Sequence, residues 1–260
     1  KIEKLEEKQG FKFAKEQLDG IKLGLDSQVC LISGLAGSGK SSLVSGILAS
    51  LDDYSFAQCA LSGKAAARLQ EVTGQSGSTI HRLLAYNPGT GFMYNENNPL
   101  PYDIIVLDEI SLVGGYIFLS LIRAIRDGCK LIMLGDMGQL ESIGALNLAY
   151  DIYNSKTVPT VELKEVHRQA AQSGIITTAH TVRNQIQLFE ENNYEGTQVL
   201  GELKDMILDV QIDKDKIKET AINYFKEFYE SELVEKDIMK IQLISPVKER
   251  GDSCVFNLNA

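Results

Sequence analysis

The stretch Gln28-Val-Cys-Leu-Ile-Ser33, running on into Gly34-Leu-Ala-Gly37-Ser38-Gly39-Lys40-Ser41, sets an apolar, β-rich run directly against the pattern G-x-x-x-x-G-K-[ST]. A helical stretch follows, so the pattern lies between a predicted strand and a predicted helix, the context its chemistry requires. Glycines let the backbone turn so that successive N–H groups point inward at phosphate oxygens, and the helix beginning near Lys40 adds the positive end of its dipole. The segment predicts a nucleoside triphosphate site. Gly34, Ala36, Gly37, Ser38, Gly39, Lys40, Ser41 and Ser42 would cradle the phosphates, Lys40 would neutralise the β and γ groups, and Ser41 would offer a hydroxyl oxygen to Mg2+. ATP and Mg2+ are the expected cofactors.

Working outward, further β-rich runs alternate with helical stretches over residues 27–163: Ser55-Phe-Ala-Gln-Cys-Ala-Leu61, Asp103-Ile-Ile-Val-Leu107, Lys130-Leu-Ile-Met-Leu134 and Thr157-Val-Pro-Thr-Val-Glu-Leu163. The middle runs are apolar on both alternating faces, as expected for strands covered by helices on either side. That predicts an α/β fold built on a doubly wound parallel sheet. Residues 86–101, rich in Asn, Gly and Pro with Phe92 and Tyr94 between, read as a small hairpin insertion. Residues 1–185 are expected to form one ATP-binding domain. Residues 186–260 are expected to hold an acidic helical segment and a truncated start of a second domain. There Ile217, Ala221, Phe225 and Phe228 form one apolar helical stripe, and Lys240-Ile-Gln-Leu-Ile-Ser245 reads as another buried strand.

Composition narrows the class. The chain's 260 residues are 44% hydrophobic with a net charge of −9, the balance of a folded protein rather than a disordered one. No apolar stretch approaches the roughly 18 residues of a membrane span, and the N-terminus carries no signal-peptide pattern, so a cytoplasmic protein without a membrane partner is expected. Cys30, Cys59, Cys129 and Cys254 lie far apart with no C-x-x-C pair, which suits small core residues in a reducing compartment better than disulfides or zinc ligands. The acidity is local: residues 190–239 carry 14 acidic against 6 basic side chains, and the rest of the chain 21 against 20. Net charge therefore neither supports nor excludes a nucleic-acid partner.

Two further segments carry chemistry. Asp103-Ile-Ile-Val-Leu-Asp108-Glu109 is an apolar strand ending in two carboxylates that its alternation sends in different directions. Asp108 fits a Mg2+ shell, and Glu109 fits a base that accepts a proton from, or orients, the water attacking the γ phosphate. A second carboxylate suits hydrolysis better than phosphotransfer to a substrate hydroxyl. After the next strand, Leu134-Gly135-Asp136-Met137-Gly138-Gln139-Leu140 brings a neutral amide to the same sheet edge. There Gln139 is either a sensor of the γ phosphate or part of a turn. Met133 and Met137 read as packing residues.

Together with Ser62-Gly-Lys-Ala-Ala-Ala-Arg-Leu69, Thr79-Ile-His-Arg-Leu-Leu84, Asn98-Pro-Leu100 and the segment 163–170, these motifs occur in an order that resembles the RecD-like DNA helicases of superfamily 1, the 5′-to-3′ branch. The resemblance implies a RecA-like nucleotide-binding domain that hydrolyses ATP and moves on single-stranded DNA or at a duplex fork, within a larger recombination or repair complex. It implies that Gln17 reads adenine, unless it is a plain surface helix residue, and that Arg168 meets the γ phosphate, unless it is a surface arginine. It implies DNA contacts from Ser62, Gly63, Lys64, Thr79 and His81, although His81 fits a capping or core histidine equally well. Phe92 and Tyr94, with Tyr86, resemble the family's hairpin at the fork, or are local packing. One departure stands out: Glu141-Ser142 follows Gln-Leu where the family usually has proline. Nothing in these 260 residues matches the family's later motifs, so the chain alone is expected to hydrolyse ATP slowly and not to unwind duplex. The alternatives are a nucleotide-gated nucleic-acid-binding module, the helicase part of a conjugative relaxase, and an RNA helicase.

Overall fold

The computed structural model describes residues 1–35, 37–142, 146–164, 171–189, 194–231 and 234–245. In the first compact unit, Lys1–Ala171, the elements follow in the order α1 (Ile2–Gln9), α2 (Lys15–Asp26), β1 (Val29–Gly34), α3 (Lys40–Ser50), β2 (Phe56–Ala60), α4 (Gly63–Thr73), β3 (Gly77–Thr79), α5 (Ile80–Leu83), β4 (Tyr86–Asn87), β5 (Gly91–Phe92), β6 (Ile104–Leu107), α6 (Gly115–Ala124), β7 (Lys130–Gly135), α7 (Leu148–Ser155) and β8 (Thr160–Leu163). Six strands form one parallel sheet in the order β3-β2-β6-β7-β1-β8.

The strand residues divide by the pleat. Leu31, Cys59, Ile105, Leu107, Leu131 and Met133 pack on one face with Ile80, Leu121 and Ala149 from α5, α6 and α7. Cys30, Ile32, Ile104, Val106, Ile132 and Leu134 pack on the other with Ile21, Leu43, Ile47 and Leu69 from α2, α3 and α4. Both faces are thus covered, as apolar residues at successive strand positions demand, and each fully buried aliphatic chain contributes about 1.5–3 kcal/mol. Cys30, Cys59 and Cys129 are free and buried, in keeping with a packing role.

Parallel pairing brings the carboxyl ends of these strands to one edge. Ser33 stands level with Gly135 and Leu107 with Met133, so Asp108 and Glu109 leave β6 level with the ends of β7 and β1. Ala60 stands level with Thr79, so the loops after β2 and β3 are neighbours at the side of the sheet away from β1. Hairpin β4–β5 pairs Tyr86 with Phe92, within the expected insertion.

The second unit, Gln172–Ala260, contains α8 (Gly174–Arg183), an antiparallel pair β9 (Gly196–Leu200) and β10 (Met206–Val210), and α9 (Lys214–Glu230). Ser173 caps α8, and Asp205 accepts from both Ser173 Oγ (2.6 Å) and Gly174 N (2.7 Å). These bonds tie α8 to the β9–β10 hairpin. The division therefore falls after Ala171, before the boundary at 185 expected from the shift in composition. Helix α9 contains the apolar stripe, and its Tyr224 hydroxyl donates to Asp209 (2.9 Å). The strand expected over 240–245 is a correction: these residues form no strand, and Leu243 and Ile244 are exposed with no ladder partner among the described residues. No helix among the described residues is long and apolar enough to cross a membrane.

Candidate active site

β1 ends at Gly34, where a Cβ would stand 2.6 Å from Ser38 Oγ and 3.0 Å from Leu163 Cβ, so glycine lets the loop fold back over the strand end. The buried Ser38 holds that fold, its Oγ donating to Leu35 O at 2.8 Å. Gly39 then takes φ 79° and starts α3 from a left-handed conformation open to glycine. Lys40 Nζ donates to Gly34 O (2.6 Å) and Leu35 O (3.0 Å), which places its charge within the loop. The first-turn N–H groups of α3 lack intrahelical acceptors, as at any helix start, and face the same cleft through Lys40, Ser41 and Ser42.

That cleft, about 270 Å³, is also lined by Asp108, Glu109, Gly135, Asp136 and Gln139 from the ends of β6 and β7, and by Ala65, Arg68 and Val72 of α4. Asp108 N donates to Cys59 O (2.8 Å), which holds the Asp108 backbone at the strand end. Its Oδ1 accepts from Glu109 N (2.8 Å). Glu109 adopts φ 55° and ψ 41° and begins a 3-10 turn, Ile110–Leu112. That left-handed conformation costs a non-glycine residue about 1–3 kcal/mol. Burial pushes the Asp108 carboxyl above its ordinary range, against the Glu109 amide, Lys40 and Arg68. Burial and then the Asp108 charge push Glu109 upward too, against Arg68 and Lys40.

Asp136 is buried and accepts at Oδ1 from Gly138 N (2.9 Å), while its carbonyl accepts from Gln139 N (3.1 Å). The turn leaves the Gln139 amide exposed in the cleft. Met133 is buried and Met137 packs on the core, as expected. Gln17, expected either to read adenine or to lie on a surface, is buried; its Oε1 accepts from Ala14 N (2.9 Å) and its Nε2 donates to Gly39 O (3.3 Å). Ala36 and Arg168 lie outside the described residues.

The residues expected at DNA follow β2 and β3 and are not among those that line the cleft, although α4 lines it further along. Ser62 Oγ accepts from Ala65 N (3.1 Å) and caps α4, with Gly63 and Lys64 exposed in its first turn. Thr79 Oγ1 accepts from Arg82 N (3.2 Å) and caps α5. The His81 ring packs edge-on to Tyr86 (5.6 Å) and tilted to Phe92 (5.9 Å), and Phe92 in turn meets Tyr86 (5.1 Å) and Tyr116 (6.4 Å). His81 is thus part of an aromatic cluster at the hairpin. Arg68 and Tyr116 carried no role in the sequence. The spacing Ala65, Arg68, Val72 on one helical face was the available signal for Arg68.

A divalent cation fits the cleft's chemistry. Ser41 and Asp108 offer a hydroxyl and a carboxylate, hard oxygens suited to Mg2+, which is usually held by one or two protein ligands and the substrate's phosphates. Among the described residues no group of three or more His, Cys, Asp or Glu side chains forms an all-protein metal cage.

The sequence profile of the AAA domain family matches residues 12–197. The chain is 40% identical over 159 residues to the ATP-dependent RecD2 DNA helicase of Deinococcus radiodurans, covering 59% of this chain and 21% of that protein. It is 32% identical over 193 residues to the RecBCD enzyme subunit RecD of Mycolicibacterium smegmatis, covering 64% of this chain and 35% of that protein. The chain therefore spans about a third or less of the length of these relatives. A Pif1 helicase from Candida albicans shares the fold, with a TM-score of 0.52 and 24% identity over 66% of this chain and 44% of that one. The glycine-rich loop at the end of β1, the carboxylate pair at the end of β6 and the profile match agree: the chain belongs to the AAA domain family and is RecD-like in sequence.

Proposed function

We propose that this chain is the ATP-hydrolysing motor domain of a DNA helicase. The observation that supports the reading most strongly is the single cleft lined by Lys40, Ser41, Asp108, Glu109 and Gln139 at the carboxyl edge of the sheet. The chain's relatives are named as ATP-dependent DNA helicases and as a RecBCD subunit, which supports DNA as partner and a larger recombination or repair complex as setting.

In this reading the loop amides and Lys40 bind the phosphates, Gln17 reads the base, and Glu109 takes the proton of the attacking water. Gln139 bonds water or phosphate through its neutral amide, and Arg168 neutralises charge that develops on the γ phosphate. Ser41 and Asp108 would hold Mg2+, which would supply neutralisation of phosphate charge. Ser62, Gly63, Lys64, Thr79 and His81 grip the strand by hydroxyl, backbone and ammonium contacts that read no sequence. Their position after β2 and β3, beside the nucleotide cleft, suits a grip that changes with nucleotide state. The 5′-to-3′ direction follows the resemblance, and buried free cysteines suit the cytoplasm.

Steady-state ATP hydrolysis by the full-length protein, with and without single-stranded DNA and with Glu109→Gln as control, tests the proposal. DNA-stimulated turnover lost in the variant supports it. Mg-ATP binding without turnover overturns the motor and leaves a nucleotide-gated binding module.

A further inference from the structure

Arg68 lines the nucleotide cleft with no role assigned to it. It approaches from the β2 side of β6, on the α4 face shared with Ala65 and Val72, whereas Lys40 approaches from the β1 side. Its side chain is exposed and makes no hydrogen bond or ion pair among the described residues. Its charge nevertheless acts on both Asp108 and Glu109. An arginine near two carboxylates that pairs directly with neither keeps its planar fork available to a ligand. A bound triphosphate would add its own negative charge to that of Asp108 and Glu109, and one lysine with one divalent cation leaves the cleft negative. A second fixed cation on the Glu109 side, where a terminal phosphate must lie for water to be activated, relieves that excess.

We propose that Arg68 binds the terminal phosphate of the nucleotide and so lets the site distinguish triphosphate from diphosphate. The proposal rests on the reading of this cleft as an ATP site. Helix α4 makes the contact more than a local one, because the same helix starts at Ser62, Gly63 and Lys64. A guanidinium can bond two phosphate oxygens at once, which a lysine ammonium cannot match, so Arg68→Lys is a partial loss rather than a neutral change.

The test compares binding of fluorescent, non-hydrolysable Mg-ATP analogue and of fluorescent Mg-ADP to the wild-type protein, R68A and R68K, with circular dichroism to check folding. R68A is expected to lose about tenfold in affinity for the triphosphate and less than about twofold for the diphosphate, with R68K between. Equal losses for both nucleotides, or none, overturn the proposal. An unchanged triphosphate-to-diphosphate ratio with an acid limb of turnover moved to higher pH also overturns it, since Arg68 would then serve Glu109 alone. If the wild type binds neither nucleotide, the ATP-site reading fails and this proposal fails with it. If it binds both but hydrolyses neither, the motor reading fails while the affinity ratio still decides Arg68.

Discussion

The side-chain amide of Gln17 donates to the carbonyl oxygen of Gly39 across 3.3 Å, joining the first turn of α2 to the residue that starts α3. The other end of the amide caps Ala14 N, and the residue is only 1% exposed. Gln17→Ala is expected to destabilise the protein by about 1–2 kcal/mol, since it strips a buried cap and a tether on the phosphate loop. Gln17→Glu keeps the acceptor for Ala14 and loses the donor, so it separates the two. If Gln17 also reads adenine, both variants reduce the preference for ATP over GTP in competition binding. An unchanged preference would leave Gln17 as a tether alone.

Glu109→Gln is expected to keep nucleotide affinity and to lower turnover by roughly 10²–10⁴-fold, the range for loss of a general base. Wild-type turnover should have an acid limb above the ordinary glutamate range. The sign follows from the causes: burial and the Asp108 charge both favour the protonated form, so the base is lost at a higher pH than in water. A profile of kcat/KM against pH checks this, and a limb near pH 4 would exclude Glu109 as the base.

Asp108→Asn should stabilise the nucleotide-free protein. Burial raises the folded-state pKa of Asp108, so the ionised carboxylate disfavours the folded state at neutral pH, a penalty relieved as the pH falls through that raised value. A neutral side chain of the same shape removes the penalty, and a rise in Tm of about 2–4 °C is expected. The same variant should lose Mg2+-dependent nucleotide affinity. Thermal unfolding with and without Mg-ATP reads both effects.

Phe92 sits between His81, Tyr86 and Tyr116, so Phe92→Ala should loosen the β4–β5 hairpin. Amide exchange over residues 86–92 is expected to speed up by about tenfold or more. Tyr116→Ala, at a side chain 74% exposed, should leave it within about threefold. If the hairpin works at a fork, Phe92→Ala in the full-length protein lowers duplex unwinding while leaving ATP turnover on single-stranded DNA in place.

Gly34 to Ser41, Asp108-Glu109 and the main apolar runs were legible because their chemistry is local. A strand buried on both faces must be apolar at successive positions, and a phosphate loop needs its glycines and lysine next to one another in the chain. β3 escaped notice because Gly77-Ser-Thr79 is short and has no apolar run; only pairing with β2 makes it a strand. Lys240 to Ser245 had the apolar run, but Lys240 closes a 3-10 turn, Ile238–Lys240, and no strand ladder forms over 240–245 among the described residues. The break after Ala171 came from Asp205 bonding Ser173 and Gly174 across more than thirty residues, which no composition shift records. The hydroxyls of Ser62 and Thr79 proved to cap helices, and His81 to pack among aromatics. The sequence alone determined which residues can hold phosphate, metal and water, because those abilities belong to side chains and their near neighbours. The tertiary structure alone decided that Arg68 faces Asp108 and Glu109 across one cleft, because strand order and helix crossing are set by the burial of whole elements against each other.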